Sequence, residues 1–345
     1  MNSSVRYKSI VILADAGIGD FIWATSALSL IRDYDKEIRI TLITTNLAVE
    51  LIDKKLGIDY VITTNHKYYA SANIFKRLIY KFYWCIKNYR KIHNIDACLI
   101  LDASLFFVLS AKYFYGIKHI IGPDNFSFGV NVKNKDSKYY TRIVPLPVDT
   151  DRTSCAVRYQ ILIRAIFPTY NLSLPKLPDS YYLSEKVSAL LGKTKKYKIA
   201  LCTAGSVKWK YWDLNYFKAV ISKLNDILDA TFFIVGNSEQ ELEKGNYLCE
   251  SLPDIDIRNL CKKTTLLELK ELFNSTDLLI SVDTACIHIA SVTKTHIIAL
   301  YGPALPENSM PISHKASLMC SYRECSPCIG KRILYGYKCD EPKCM

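Results

Sequence analysis

The chain of 345 residues has no long uninterrupted apolar run. None reaches the ~18 residues that a membrane-spanning helix needs. The nearest, Ala97 to Ala111, is broken by Asp102 and reads as strand, turn and helix. The amino terminus, MNSSVRYKSIVIL, has no apolar stretch of signal-peptide length and no cleavage site, and it runs directly into a strand. The expectation is a cytoplasmic protein with mainly reduced cysteines. No zinc-finger or RNP motif is present, so a nucleic-acid partner is not expected. Acidic residues are scarce. His66 to His93 contains none, and 45 Lys and Arg stand against 33 Asp and Glu, for a formal charge of +12 and a pI near 9.0. Such an excess favours a polyanionic partner: nucleic acid, acidic lipid or a phosphorylated substrate.

What is present is an alternation of strand and helix patterns. Ser9 to Leu13, Ile38 to Thr45, Tyr60 to Thr63, Asp96 to Leu101 and His119 to Gly122 read as strands in the first half. Lys198 to Thr203, Thr231 to Val235, Leu278 to Val282 and Ile297 to Leu300 do so in the second. Runs that are apolar on both faces suit parallel strands covered by helices. Helices are expected over Asn46 to Lys55, Ser104 to Tyr115 and Thr153 to Phe167, and Asp124 to Val148 is expected to be looped. Pro168, Pro175 and Pro178 mark the domain boundary. The reading is two doubly wound α/β domains, residues 1–170 and 171–345, with a cysteine-rich tail at 320–345.

Polar residues gather where strands end. Gly17 and Gly19 in the first strand-to-helix turn allow close backbone approach to a ligand. Asp20 beside them is either a helix-capping acid or a catalytic carboxylate at a strand end. Asp283 and Thr284 follow the strand at Leu278, and His288 lies one helical turn beyond Thr284. These three are either a cap and a packed histidine or a polar ligand site.

Wound as a helix, the acid-free segment has one apolar stripe, Phe75, Ile79, Phe82, Ile86 and Tyr89. Its opposite side gathers Lys76, Arg77, Tyr80, Lys81, Trp84, Lys87 and Lys91. That side is read as facing an anionic membrane or acceptor, or else as the solvated face of a core helix. Among the twelve cysteines, five lie between 320 and 345. The spacing of Cys325, Cys328, Cys339 and Cys344 suits a structural Zn²⁺; free thiols or a redox pair are the alternative.

The stretch VDTACIHIASVTKTHIIALYGPALPE, Val282 to Glu307, resembles the D-T-G-x-x-H-x-A-A signature of glycosyltransferase family 9, the ADP-heptose:lipopolysaccharide heptosyltransferases. Gly19-Asp20 with Ala27-Leu28, Lys210-Tyr211-Trp212 with Tyr216-Phe217, and Asn259-Leu260 with Thr265-Leu266 and Glu268-Leu269 resemble other family segments in order and spacing. The resemblance implies a GT-B fold, two Rossmann-like domains facing across a cleft. The first would bind the acceptor and the second the nucleotide-sugar. It also implies inverting, metal-independent transfer of heptose or a related sugar to a lipopolysaccharide core or similar anionic glycolipid, at the inner face of the cytoplasmic membrane and with no cofactor.

Asp20 matches the family's proposed base, and Lys210 is placed to stabilise the departing diphosphate. Gly19, Ser206, Asp283, Thr284, Ala285 and His288 fall at donor-binding positions. Four residues depart from the pattern: Ala285 replaces a glycine, and Ser26, Asp213 and His296 replace prolines. Rival readings are a nucleotide-sugar-binding module without catalysis, a nicotinamide-dependent enzyme, which the missing third glycine after Gly19 disfavours, and a nucleic-acid binder.

Overall fold

A computed structural model describes residues 6–64, 73–102, 104–127, 131–147, 153–169, 172–179, 183–205, 208–321, 323, 325–326, 328 and 344–345. The chain divides into two compact units, Met1–Leu177 and Pro178–Met345. The boundary therefore falls at the last of the three prolines rather than at residue 170. The connecting chain up to Leu177 is held by the first unit: the Ser173 hydroxyl lies 2.6 Å from that of Ser29, Gln160 Nε2 donates to the Ser173 carbonyl, and Lys176 N donates to Thr25 Oγ1.

The first unit runs β1 (Ser9–Ala14), α1 (Ile18–Tyr34), β2 (Arg39–Thr45), β3 (Tyr60–Thr64), α2 (Ile74–Ile92), β4 (Ala97–Ile100), α3 (Leu105–Leu109), β5 (His119–Pro123), β6 (Asn125–Ser127), β7 (Asn131–Lys133), β8 (Arg142–Val144) and α4 (Cys155–Arg164). Six strands form one parallel sheet in the order β3-β2-β1-β4-β5-β8, and β6 and β7 make a small antiparallel hairpin. All six residues of β1 are buried, as a central strand covered on both faces requires.

Three stretches differ from the sequence expectation. In place of one helix over 46–55 there are two 3₁₀ turns, Asn46–Leu51 and Lys54–Leu56, the second capped by Asp53, which accepts from Lys55 N. The helix after β4 loosens into a π turn at Ser110–Phe114, where Tyr115 N bonds back to the Ser110 carbonyl. The expected loop over 124–148 contains the hairpin and the edge strand β8.

The largest difference is α2. Its buried side is Trp84, Cys85, Asn88 and Ile92, and the Phe75, Ile79, Phe82 and Ile86 stripe faces outward. Trp84 is thus a core residue and not part of an acceptor- or membrane-facing surface. Its indole N–H donates to the Thr63 carbonyl at 3.0 Å, and its ring meets Phe107 edge to face with centroids 5.1 Å apart. Asn88 can be buried beside it because its amide donates to the Trp84 carbonyl of the preceding turn.

The second unit runs α5 (Glu185–Leu191), β9 (Tyr197–Cys202), α6 (Leu214–Ile227), β10 (Ala230–Ile234), α7 (Glu239–Ser251), β11 (Ile257–Asn259), α8 (Leu266–Asn274), β12 (Leu278–Val282), α9 (Ala285–Ser291), β13 (His296–Tyr301), α10 (Pro306–Ser309) and β14 (Ala316–Cys320). Its sheet is also parallel, in the order β11-β10-β9-β12-β13-β14. Phe217, Phe232 and Phe273 are fully buried in its core.

Each sheet reverses its winding once. The successors of β1 lie on one side and β4 on the other; β9 and β12 stand in the same relation. At such switch points the loops diverge and leave room for a ligand at the carboxyl ends of the strands. Among the described residues no helix is long and apolar enough to cross a membrane.

Candidate active site

In the first unit the β1–β4 switch point holds Asp15 to Asp20 and Asp102. Gly17 is the N-cap of α1, and Gly19 and Asp20 lie in the first turn. Asp20 folds back so that its Oδ2 accepts from Gly17 N at 3.1 Å. A Cβ on residue 17 would press on that same oxygen, which is why glycine suits the position. Asp20 therefore does cap the helix, with a half-exposed carboxylate at the strand ends.

Asp102 follows β4 and reaches across to the β1 loop. Its Oδ2 accepts from the amides of Asp15 (2.7 Å) and Ala16 (3.0 Å), and its Oδ1 accepts from the Tyr159 hydroxyl (2.7 Å). Part of Asp102 still reaches the surface, but its carboxyl is ringed by protein. Burial, and then the nearby charge of Asp20, push its pKa up to about 7 against the hydrogen bonds it accepts. Two carboxyl groups thus share this strand end, one half-exposed and one ringed by protein. Asp15, buried beside them, accepts from Thr64 Oγ1. Sequence reasoning gave Asp102 and Tyr159 no role; the available signal was an acid following the neighbouring strand of a switch point.

In the second unit the β9–β12 switch point brings Asp283, Thr284, His288 and Lys210 together. Lys210 closes a 3₁₀ turn, Lys208–Lys210, and its Nζ lies 2.6 Å from Asp283 Oδ2. Asp283 is buried and the lysine side chain is largely covered. Thr284 caps α9, with Oγ1 accepting from Cys286 N at 3.1 Å, so one first-turn amide is already engaged by the cap. His288 is buried, which lowers its pKa to about 4; Asp283 opposes that shift and Lys210 adds to it. The ring is neutral at neutral pH. Gly205 lies against this turn, with Asp283 O and Thr284 Cγ2 each 3.5 Å from where its Cβ would be. Ser206 lies outside the described residues.

The four departures have local explanations. Ala285 opens α9 with no positive φ, so the backbone there does not require glycine. Asp213 caps α6 by accepting from Asn215 N at 2.8 Å. Ser26 is buried, donates to the Trp23 carbonyl and accepts from Gln160 Nε2. His296 N donates to the Asp277 carbonyl, a bond that proline could not make.

A family model for glycosyltransferase family 9 (heptosyltransferase) matches residues 108–337. The chain belongs to glycosyltransferase family 9. Lipooligosaccharide heptosyltransferase 2 of Campylobacter jejuni is 32% identical over 132 residues, which spans 38% of this chain and 41% of that relative's length. Two solved structures share the fold. ADP-heptose lps heptosyltransferase II of E. coli is 18% identical, covers 90% of each chain and has a TM-score of 0.70. E. coli heptosyltransferase WaaC with ADP-2-deoxy-2-fluoro heptose is 14% identical, covers 95% of this chain and 99% of that one, and has a TM-score of 0.68. Lys210, Asp283, Thr284, Ala285 and His288 of this family 9 chain lie inside the matched residues; Gly19, Asp20 and Asp102 precede them.

The tail is described only in part. Cys325 is exposed, Cys328 and Cys344 are buried, and Cys339 lies outside the described residues. Burial, then the nearby Cys328, raises the Cys344 thiol pKa. Among the described residues no group of three His, Cys, Asp or Glu side chains is arranged to hold a metal ion. A cavity of about 520 Å³ lined by Tyr7, Tyr34 and Phe167 sits by the amino ends of the first sheet's strands, away from the switch point where chemistry is expected.

Proposed function

We propose that the protein is an inverting heptosyltransferase that moves heptose from ADP-heptose to a lipopolysaccharide core or a similar anionic glycolipid, at the inner face of the cytoplasmic membrane. The observation that carries this reading is the Lys210–Asp283 pair at the switch point of a sheet inside the matched family segment. The second unit binds the donor: Asp283 fixes Lys210, and the ammonium offsets the charge that develops on the departing nucleoside diphosphate. Thr284, Ala285, His288 and Gly205 shape the wall beside it, with Ser206 next in sequence. Lys210 takes the place that a divalent cation holds in other transferases, so the scheme needs no metal step.

The first unit binds the acceptor. The Asp20 carboxylate takes the proton of the acceptor hydroxyl while that oxygen attacks the anomeric carbon. One direct displacement forms the new glycosidic bond as the bond to the diphosphate breaks, so configuration inverts. Gly17 and Gly19 keep the turn around Asp20 uncrowded, and Asp102 sets the charge beside it.

The test uses Asp20→Asn with ADP-heptose and a core acceptor. Transfer is expected to fall by about 10²–10⁴-fold, the usual contribution of a positioned base, with donor affinity unchanged. A variant as active as the parent removes Asp20 from the mechanism. A parent protein that binds ADP-heptose and transfers it to no acceptor would instead mark a binding module.

A further inference from the structure

Among the described residues nothing covers the outward stripe of α2. Phe75, Leu78, Ile79, Phe82, Tyr83 and Ile86 are each more than half exposed, with Phe75 at 73% and Ile79 at 70%. The patch continues onto the π turn: Phe114 meets Phe82 and Tyr89 edge to face, and Tyr113 beside it is exposed. A contiguous apolar surface of this kind marks an interaction site. Its flank is cationic. The helix carries six Lys and Arg and no acid, and Lys76, Lys87, Arg90 and Lys91 are exposed.

We propose that this face of α2 seats in the surface of an anionic lipid bilayer. At 3.6 residues per turn, Phe75, Ile79, Phe82 and Ile86 lie in one row that can enter the acyl boundary. Lys87, Arg90 and Lys91 lie to one side, at the level of lipid phosphates. Charge decides the occupant. A second copy docked on the same face would bring each cationic flank against its own equivalent, with no acid on either helix to pair it. An anionic membrane supplies both the apolar phase and the counter-charge. The proposal rests on the glycolipid-transferase reading for its biological sense, but its geometry does not depend on Asp20 or Lys210. It also moves the membrane contact from the side of Trp84 to the apolar stripe, keeping Lys87 and Lys91 of the expected side as its cationic flank.

The experiment is co-sedimentation with phosphatidylglycerol-containing vesicles, with pure phosphatidylcholine vesicles as the reference. The parent protein is expected to bind the anionic vesicles at least about tenfold more tightly, and salt weakens that binding. The Ile79→Ser/Phe82→Ser/Ile86→Ser variant loses most of it, with Tm unchanged because these side chains are exposed. Lys87→Glu/Lys91→Glu loses it independently should the serine variant fold poorly. Transfer to a short, water-soluble acceptor is expected to survive in both variants, while transfer to vesicle-borne acceptor falls. Vesicle binding without transfer to any acceptor upholds this face and refutes the enzymatic reading. Parent protein that ignores anionic vesicles overturns the proposal. So does a dimer in sedimentation equilibrium that Phe82→Ser dissociates, or RNA binding lost in both variants without vesicle binding.

Discussion

Lys210 Nζ stands 2.6 Å from Asp283 Oδ2, and the carboxylate it meets is buried at the end of β12. The pair does two separable jobs. Each partner neutralises the other in a largely covered site, and the carboxylate fixes where the ammonium sits. Removing one partner leaves the other charge uncompensated.

Lys210→Ala is therefore expected to lower both transfer and stability, the latter by about 2–4 kcal/mol, somewhat reduced because the lysine keeps some solvent contact. Lys210→Met combined with Asp283→Asn removes both charges. Urea unfolding should then return to within about 1 kcal/mol of the parent, since a neutralised pair is often no less stable than the ionic one. Transfer should stay lost. Recovery of activity in the double variant would show that the pair is structural only.

Asp102 makes a prediction about pH. Its pKa is about 7 in the fold and 3.8 without it, so between these values the folded chain holds a proton that the unfolded chain has released. Its contribution to stability is full below pH 3.8 and is lost as pH rises through 7. In Asp102→Asn the amide oxygen can still accept from Asp15 N and Ala16 N, so the loop should persist. Urea unfolding at pH 5 and pH 8 should show the parent losing a few kcal/mol at most, about 1.4 per pH unit within the window, relative to the variant. The transfer profile of the parent should also bend near pH 7, where a second negative charge appears beside Asp20. A bend that persists in Asp102→Asn would assign it to another group.

Trp84 is buried where the sequence pattern puts it on the outward side, and its burial gives a direct check. Its ring fills the core with Phe106 and Phe107. Trp84→Ala should cost about 3–5 kcal/mol, the usual range for emptying a core aromatic site. Phe82→Ser, two residues away and on the outward face, should cost well under 1 kcal/mol. Thermal unfolding of the two variants separates the faces of α2; equal losses would contradict the observed orientation.

Periodicity finds the helix face with the most apolar residues, and α2 has more of them outside than inside. The buried row contains Asn88, whose polarity hides the stripe until one sees its amide bonded to the Trp84 carbonyl. Central strands such as β1 and β12 were legible because both faces are buried and the run is continuous. Edge strand β14 was not, since Leu318 and Met319 are exposed and no alternation marks it. The switch-point residues Asp20, Lys210 and Asp283 were legible as a set only through the family pattern. Asp102 was not, because one acid after a strand looks like any other until its bonds to Asp15 and Ala16 are seen.

His288 yields the last prediction. Its pKa is about 4 in the fold and 6.5 without it, because burial disfavours the imidazolium; the Asp283 charge opposes that without cancelling it, and Lys210 adds a smaller push in the same direction as burial. The unfolded chain therefore takes up the proton first as pH falls. Stability that is full above pH 6.5 is lost through the window down to pH 4, by roughly 2 kcal/mol at pH 5 from this residue. His288→Gln keeps a polar side chain of similar length and cannot titrate, so its urea-unfolding free energy should be flatter between pH 7 and pH 5 than that of the parent. Saturating nucleotide-sugar should extend the parent's acid loss further below pH 4 if the neutral ring packs beside the donor, because the ligand binds the folded, unprotonated form and lowers the ring's pKa further. Parallel pH dependences for parent and variant would show that the acid sensitivity comes from other groups and that His288 is not held neutral by its surroundings.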